Sequence, residues 1–204
     1  MTDVSTSKPI KRIRRTSEAA RDAALEAARD VLLSAGPSAL TLKAVAARIG
    51  TGHANLLHHF GSAEGLQTAL MERMIRDTVA RVGVAVERLR TGEATPREIV
   101  DLVFDAHGRD GIGRLTAWLA STGEAARLRP LFDVLRDLTR TIEAGTILPP
   151  DEAHRRIVDM TLLLVLAGLG DSLIGPMVHA TLDEAPGRAR DIVADVMLAQ
   201  LVRS

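Results

Sequence analysis

Four side chains that can both donate and accept hydrogen bonds, His53, Asn55, His58 and His59, lie within one short span. Their chemistry is recognition of polar edges rather than bond making. On a helix, adjacent His58 and His59 point about 100 degrees apart, and His53 lies further back, so the spacing does not gather metal ligands. No His-Glu-x-x-His or Cys/His pattern occurs, and the chain has no Cys, which excludes thiolate metal sites, disulfides and thiol catalysis. Gly108-Arg109-Asp110-Gly111-Ile112-Gly113 is glycine-rich but lacks the strand that a dinucleotide fold places before such a loop. No nucleophile–base spacing, phosphate loop or paired-carboxylate motif stands out. An enzyme is therefore not expected, and no cofactor or metal is implied.

The elements that must hold these residues follow from apolar spacing. Leu42, Val45, Ala46 and Ile49 fall on one face of a helix, with Thr41 placed as its N-cap. Gly50-Thr51-Gly52 supplies the freedom for a tight turn. Leu56 and Phe60 give a second helix its buried seam, which leaves the four polar residues on the other face. A helix, a glycine turn and a second helix with a polar outer face is the helix-turn-helix plan, whose second helix enters the DNA major groove. Upstream, Glu18 to Gly36 reads as one helix with Leu25, Ala28 and Leu32 on one face and Ala24, Val31 and Ala35 beside them; Gly36-Pro37 stops it. Downstream, Ser62 reads as an N-cap, with Glu64 favourably placed near the positive end of the next helix.

The run from Glu18 to Leu70, with LTLKAVAARIG followed by HANLLHHFGSAEGL, resembles the DNA-binding domain of TetR-family transcriptional regulators. By position, the resemblance implies base-edge or phosphate contacts from Lys43, His53 and Asn55, with Thr41 and His58 toward phosphate. It places Thr51, Gly52 and Leu57 at DNA-facing positions too. Two departures matter. Leu57 stands where the family usually has Tyr, and Ala63 where it usually has Lys; neither can donate a side-chain hydrogen bond to phosphate. Ala54 likewise replaces a frequent Gly, and Thr51-Gly52 a frequent Val-Ser.

A basic leader could offset the two missing anchors. Lys8 to Arg15 reads KPIKRIRR, and Arg12, Arg14 and Arg15 are its candidate DNA contacts. Each phosphate neutralised steepens the log–log salt dependence by roughly 0.9, and Arg in an arm can reach an adjacent minor groove. The whole chain is neutral, with 26 basic and 26 acidic residues, but residues 1–61 carry nine Lys and Arg against five Asp and Glu, so positive charge is concentrated toward this end. No apolar segment follows the leader, so it is not a signal peptide. The longest apolar stretch, Met160 to Leu169, is short of a membrane span, and a cytoplasmic location without membrane contact is expected. With only 2% aromatic residues, stacking platforms for single strands or RNA are poorly supported, and duplex DNA fits better.

The expected fold is all-α: a basic arm over residues 1–17, a three-helix helix-turn-helix domain over 18–61, and a larger helical effector-binding and dimerisation domain over 62–204. Helices are expected from Ser62 to Arg90, from Pro96 to Gly108, from Ile112 to Ser121, and from Ala125 to Ala144 with Pro130 kinking or delaying it. The Ala125–Ala144 helix should bury Leu128, Leu131, Phe132, Leu135 and Leu138. Pro149-Pro150 is a stop; Asp151 to His179 and Glu184 to Val202 are the last two helices. Leu162 to Gly175 is apolar nearly all round, unlike a monomer's surface helix. In the resembled family the last two long helices form a four-helix homodimer interface, and a two-fold dimer matches a palindromic operator.

The middle helices would enclose a pocket for a small apolar effector. Its candidate lining is Met74, Phe104, His107, Leu115, Trp118, Leu135 and Leu164, with His107 and Trp118 as polar handles. Asp171 lies inside the apolar run and needs a partner, local or across the dimer, or a ligand. The resemblance implies a sequence-specific, ligand-responsive repressor whose recognition helices sit roughly 34–36 Å apart on duplex DNA. A ligand tilting the helix over 62–90 would change that separation; about 5.5 kcal/mol of preference takes a population from 1:99 to 99:1. The alternative is a helical ligand-binding or protein-interaction dimer with weakened DNA binding.

Overall fold

The computed structural model describes the backbone of residues 10–202 and the side chains of residues 17–201. Among the described residues the chain is all helical, in the order α1 (Ile10–Ala35), α2 (Leu42–Ile49), α3 (His53–Phe60), α4 (Ala63–Arg90), α5 (Pro96–His107), α6 (Ile112–Ser121), α7 (Arg129–Ala144), α8 (Pro150–Thr181) and α9 (Arg188–Val202). Short 3-10 turns occupy Pro37–Ala39 and Ala125–Leu128. The chain divides into two compact units, Met1–Leu70 and Met71–Ser204. This boundary falls inside α4, later than the Gly61–Ser62 division read from the sequence. The first turns of α4 belong to the first unit because Leu66 and Leu70 are buried there, and the buried Gln67 amide donates to the Leu40 carbonyl at 3.1 Å.

In the first unit, α1 begins at Ile10 rather than at Glu18. No Gly or Pro interrupts the run from Ile10 to Ala35, so nothing forces a later start. Arg12, Arg14 and Arg15 fall in its opening turns, but their side chains, like residues 1–9 of the expected arm, lie outside the described residues. Leu25, Ala28 and Leu32 of α1 pack into a core completed by Leu40, Val45, Leu56 and Phe60. Local signals behave as their chemistry requires. Thr41 Oγ1 accepts from the Ala44 amide at 3.1 Å, Gly50 ends α2 with φ of 68°, and Ser62 Oγ accepts from the Gly65 amide at 3.0 Å.

In the second unit, α5 is the central element. It contributes Ile99, Val100, Val103 and Phe104 to a core shared with Val82 and Ala85 of α4, Leu164 of α8 and Val193 of α9. Pro96 sits in its first turn, and Glu98 reaches back to accept from the Thr95 amide at 3.2 Å. Pro130 delays α7, which starts at Arg129 after the 3-10 turn. Leu128 is buried and Leu131, Leu135 and Leu138 are half-buried, but Phe132, about 100° around the helix from Leu131, is 54% exposed and does not belong to the seam. Pro149-Pro150 stops the preceding segment and Pro150 opens α8. Pro186-Gly187, with Gly187 at φ of 98°, delays α9 to Arg188.

The α8 helix departs from expectation in one further respect. Its 32 residues contain an 18-residue window of mean hydropathy 1.9, so it is long and apolar enough to cross a membrane by length and composition alone. The uninterrupted run from Met160 to Leu169 understates this because the apolar character continues past Asp171 and Ser172. Leu162, Leu166, Leu173, Ile174 and Met177 of α8 are exposed, as are Ile192, Val196, Leu198 and Leu201 of α9.

Candidate nucleic-acid interface

The outer side of α3 is built by burying its inner side. Leu56 and Phe60 are buried, while His53, Ala54, Asn55, Leu57 and His58 are exposed and His59 is half-buried. The exposed Asn55 donates from its side-chain amide to Thr51 Oγ1 at 3.2 Å, which leaves its carbonyl oxygen without a partner in that bond. Gly52 is the N-cap of α3 and is exposed; Thr51 is half-buried. The exposed Lys43 lies in the first turn of α2, two residues after the exposed cap Thr41. The described candidates on α2, the turn and α3 thus belong to one helix-turn-helix.

Several residues that hold this arrangement have no sequence signal. Arg21 of α1 donates from Nη1 to the His59 carbonyl at 3.0 Å and lies 4.8 Å from the centroid of the Phe60 ring. The Arg48 guanidinium on α2 pairs with Asp30 of α1 at 3.1 Å. Both contacts join residues distant in the chain, so periodicity could not have found them.

The candidate effector residues fall out differently. Met74, Phe104, Leu115 and Leu164 are buried, and Phe104 and Leu164 meet in the same α5–α8 core. His107 is largely buried; its Nδ1–H donates to the Val103 carbonyl at 2.8 Å, and it lies beside Gly168 of α8 together with Phe104. Burial pushes its pKa below the ordinary value, with the backbone contact acting in the opposite sense. Trp118 and Leu135 are half-buried. The Asp171 carboxylate lies 3.6 Å from His179 Nε2 on the same helix, so its partner is local. A separate open groove of about 570 Å³ runs between α4 and α5. Its apolar residues are Ala80, Val84, Ala85 and Leu102, flanked by Arg81, Arg88, Glu98, Asp101 and Asp105; none of the eight expected residues lines it. Among the described residues no three His, Asp or Glu side chains are grouped to hold a metal.

A helix-turn-helix whose second helix has an exposed polar side, followed by a further helical unit, is the arrangement of a DNA-binding module. Residues 24–70 match the family model of bacterial regulatory proteins, tetR family. An HTH-type transcriptional repressor of Mycobacterium tuberculosis is 32% identical over 121 residues, covering 54% of this chain and 60% of the relative's own length. A transcriptional regulator from Saccharomonospora viridis, solved in complex with choline, superposes with a TM-score of 0.61 at 19% identity, covering 87% of this chain and 95% of that one. The multidrug binding protein EbrR, complexed with imidazole, superposes at 0.53 with 21% identity, over 85% and 92% of the two chains. Residues 24–70 thus match a DNA-binding domain of the tetR family of bacterial regulatory proteins, and the chain spans about 60% of the length of the curated relatives it matches.

Proposed function

We propose that this protein is a ligand-responsive repressor that binds a palindromic DNA operator as a homodimer. The observation that carries the reading is α3 itself: Leu56 and Phe60 anchor it while His53, Asn55 and His58 are left outward at hydrogen-bonding positions. Lys43, Thr41 and Thr51 flank it as candidate phosphate or base-edge contacts, with Gly52 allowing close approach of backbone. Side chains of Arg12, Arg14 and Arg15 would add phosphate contacts from the start of α1.

The exposed apolar residues of α8 and α9 support dimerisation through these two helices, since such a patch is costly to leave in water. A second copy covers it in this reading, which suits a cytoplasmic protein despite the hydropathy of α8. The interior around Phe104, His107, Leu115 and Leu164 is the proposed effector region, with Met74, Trp118, Leu135 and Asp171 at its margins. Its aliphatic character favours a small apolar effector with one hydrogen-bonding group. The neighbours solved with choline and with imidazole give small-molecule binding on this fold as support.

Substituting Asn55 or Lys43 by Ala tests the reading. A DNA reader loses roughly 1–3 kcal/mol of operator binding on losing a base contact, and specificity relaxes at one position per half-site. Unchanged binding in both variants would move the assignment to a helical ligand-binding or protein-interaction dimer.

A further inference from the structure

Leu57 is 45% exposed, the one large apolar side chain exposed among the described residues of the first unit. Isolated surface leucines are ordinary, but this one lies on the outer side of the helix that carries the hydrogen-bonding residues. At 100 degrees per residue, the order around that side is His53, Leu57, Ala54, His58 and Asn55. Leu57 and Ala54 are therefore neighbours, an apolar strip bounded by His53 on one side and His58 on the other. Both Leu57 and Ala54 are exposed, with no need of either in the core formed by Leu56 and Phe60.

A side chain without a donor cannot anchor a phosphate. On the major-groove edges of the bases, the one apolar group is the C5-methyl of thymine; the other exposed features are donors and acceptors. Placing Leu57 against those polar edges would strip them of water without replacing their hydrogen bonds. Placing it against a thymine methyl buries two apolar surfaces together.

We propose that Leu57, with Ala54 beside it, is a specificity-determining contact for a thymine C5-methyl group in each operator half-site. This rests on the DNA-binding reading above. It assigns to the Leu57 position sequence readout through an apolar group.

The test uses the full chain and a duplex enriched by it from a random pool, with deoxyuridine replacing thymidine one position at a time. Uracil keeps the base pair and removes only the methyl group. The expected result is a loss of about fourfold at one position per half-site, the burial of one methyl-sized group. It becomes about fifteenfold when both half-sites carry the change, and vanishes in Leu57→Ala. Because Leu57 is exposed, that variant should retain its helical circular dichroism and thermal midpoint. Equal binding to thymine and uracil duplexes, with both still preferred over random duplex, would overturn the methyl contact and leave DNA binding intact. A uracil penalty that persists unchanged in Leu57→Ala would overturn the assignment to Leu57. Failure to enrich any duplex would overturn both the contact and the reading beneath it.

Discussion

The guanidinium of Arg21 lies 4.8 Å from the centre of the Phe60 ring while donating to the carbonyl of the preceding residue, His59. One side chain of α1 therefore holds the C-terminal end of α3 by a charge-assisted hydrogen bond and a cation–π contact. Arg21→Ala should weaken operator binding by about tenfold through loosened placement of α3, while helical circular dichroism is kept. Arg21→Lys should recover part of the loss, because it restores charge without the planar donor fork. Anisotropy titrations of the two variants, with thermal melts alongside, check this; equal affinity for wild type and Arg21→Ala would remove the positioning role.

His107 makes stability depend on pH. Burial lowers its pKa from the ordinary 6.5, so below that value the unfolded chain binds more protons than the folded one. Its contribution is full above about pH 6.5 and is lost as the pH falls through 6.5 toward the lower folded-state value. Urea midpoints should fall from pH 7.5 to pH 5.5 more steeply in the wild type than in His107→Asn. Parallel slopes would show that His107 is not the group responsible.

Gly113 marks a close approach of α6 to its surroundings. A methyl group there would run into Ser172 Oγ and come within 2.8 Å of the His107 carbonyl oxygen. The backbone oxygen cannot rotate aside, so Gly113→Ala should cost about 1–3 kcal/mol by urea denaturation, in the range of overpacking. A neutral or stabilising result would mean that α6 is free to shift.

The exposed apolar residues of α8 supply a direct check on assembly. Leu166→Glu combined with Met177→Glu places two like charges on the proposed two-fold face. Light scattering should give a dimer for the wild type and a monomer for the double variant. A wild-type monomer, or recovery of the wild type with membrane vesicles rather than in solution, would contradict dimerisation through this face.

The helix-turn-helix was legible because its determinants are local. Thr41 capping Ala44, the left-handed Gly50 and the Leu56–Phe60 seam each act within four residues. Pro130 and Pro149-Pro150 announced their breaks for the same reason. Phe132 was misplaced because it lies at the edge of the stripe formed by Leu131, Leu135 and Leu138, where spacing alone does not decide burial, and α1 was begun late because a polar basic run carries no amphipathic signal. Least legible were the long-range polar contacts. Arg190 of α9 pairs with Asp101 at 3.1 Å and Asp105 at 2.8 Å while lying over Phe104, a clamp that no spacing rule connects across the chain. The α4–α5 groove was missed likewise, since concavity arises only from how helices pack.

The most direct test of the central claim is the affinity of the full chain for its enriched duplex against a random duplex, by fluorescence anisotropy across a salt series. A sequence-specific regulator should prefer the enriched duplex by roughly a thousandfold or more at physiological salt, with the preference surviving as both affinities fall. Equal, steeply salt-dependent binding to the two duplexes, or no binding at low salt, would contradict the account.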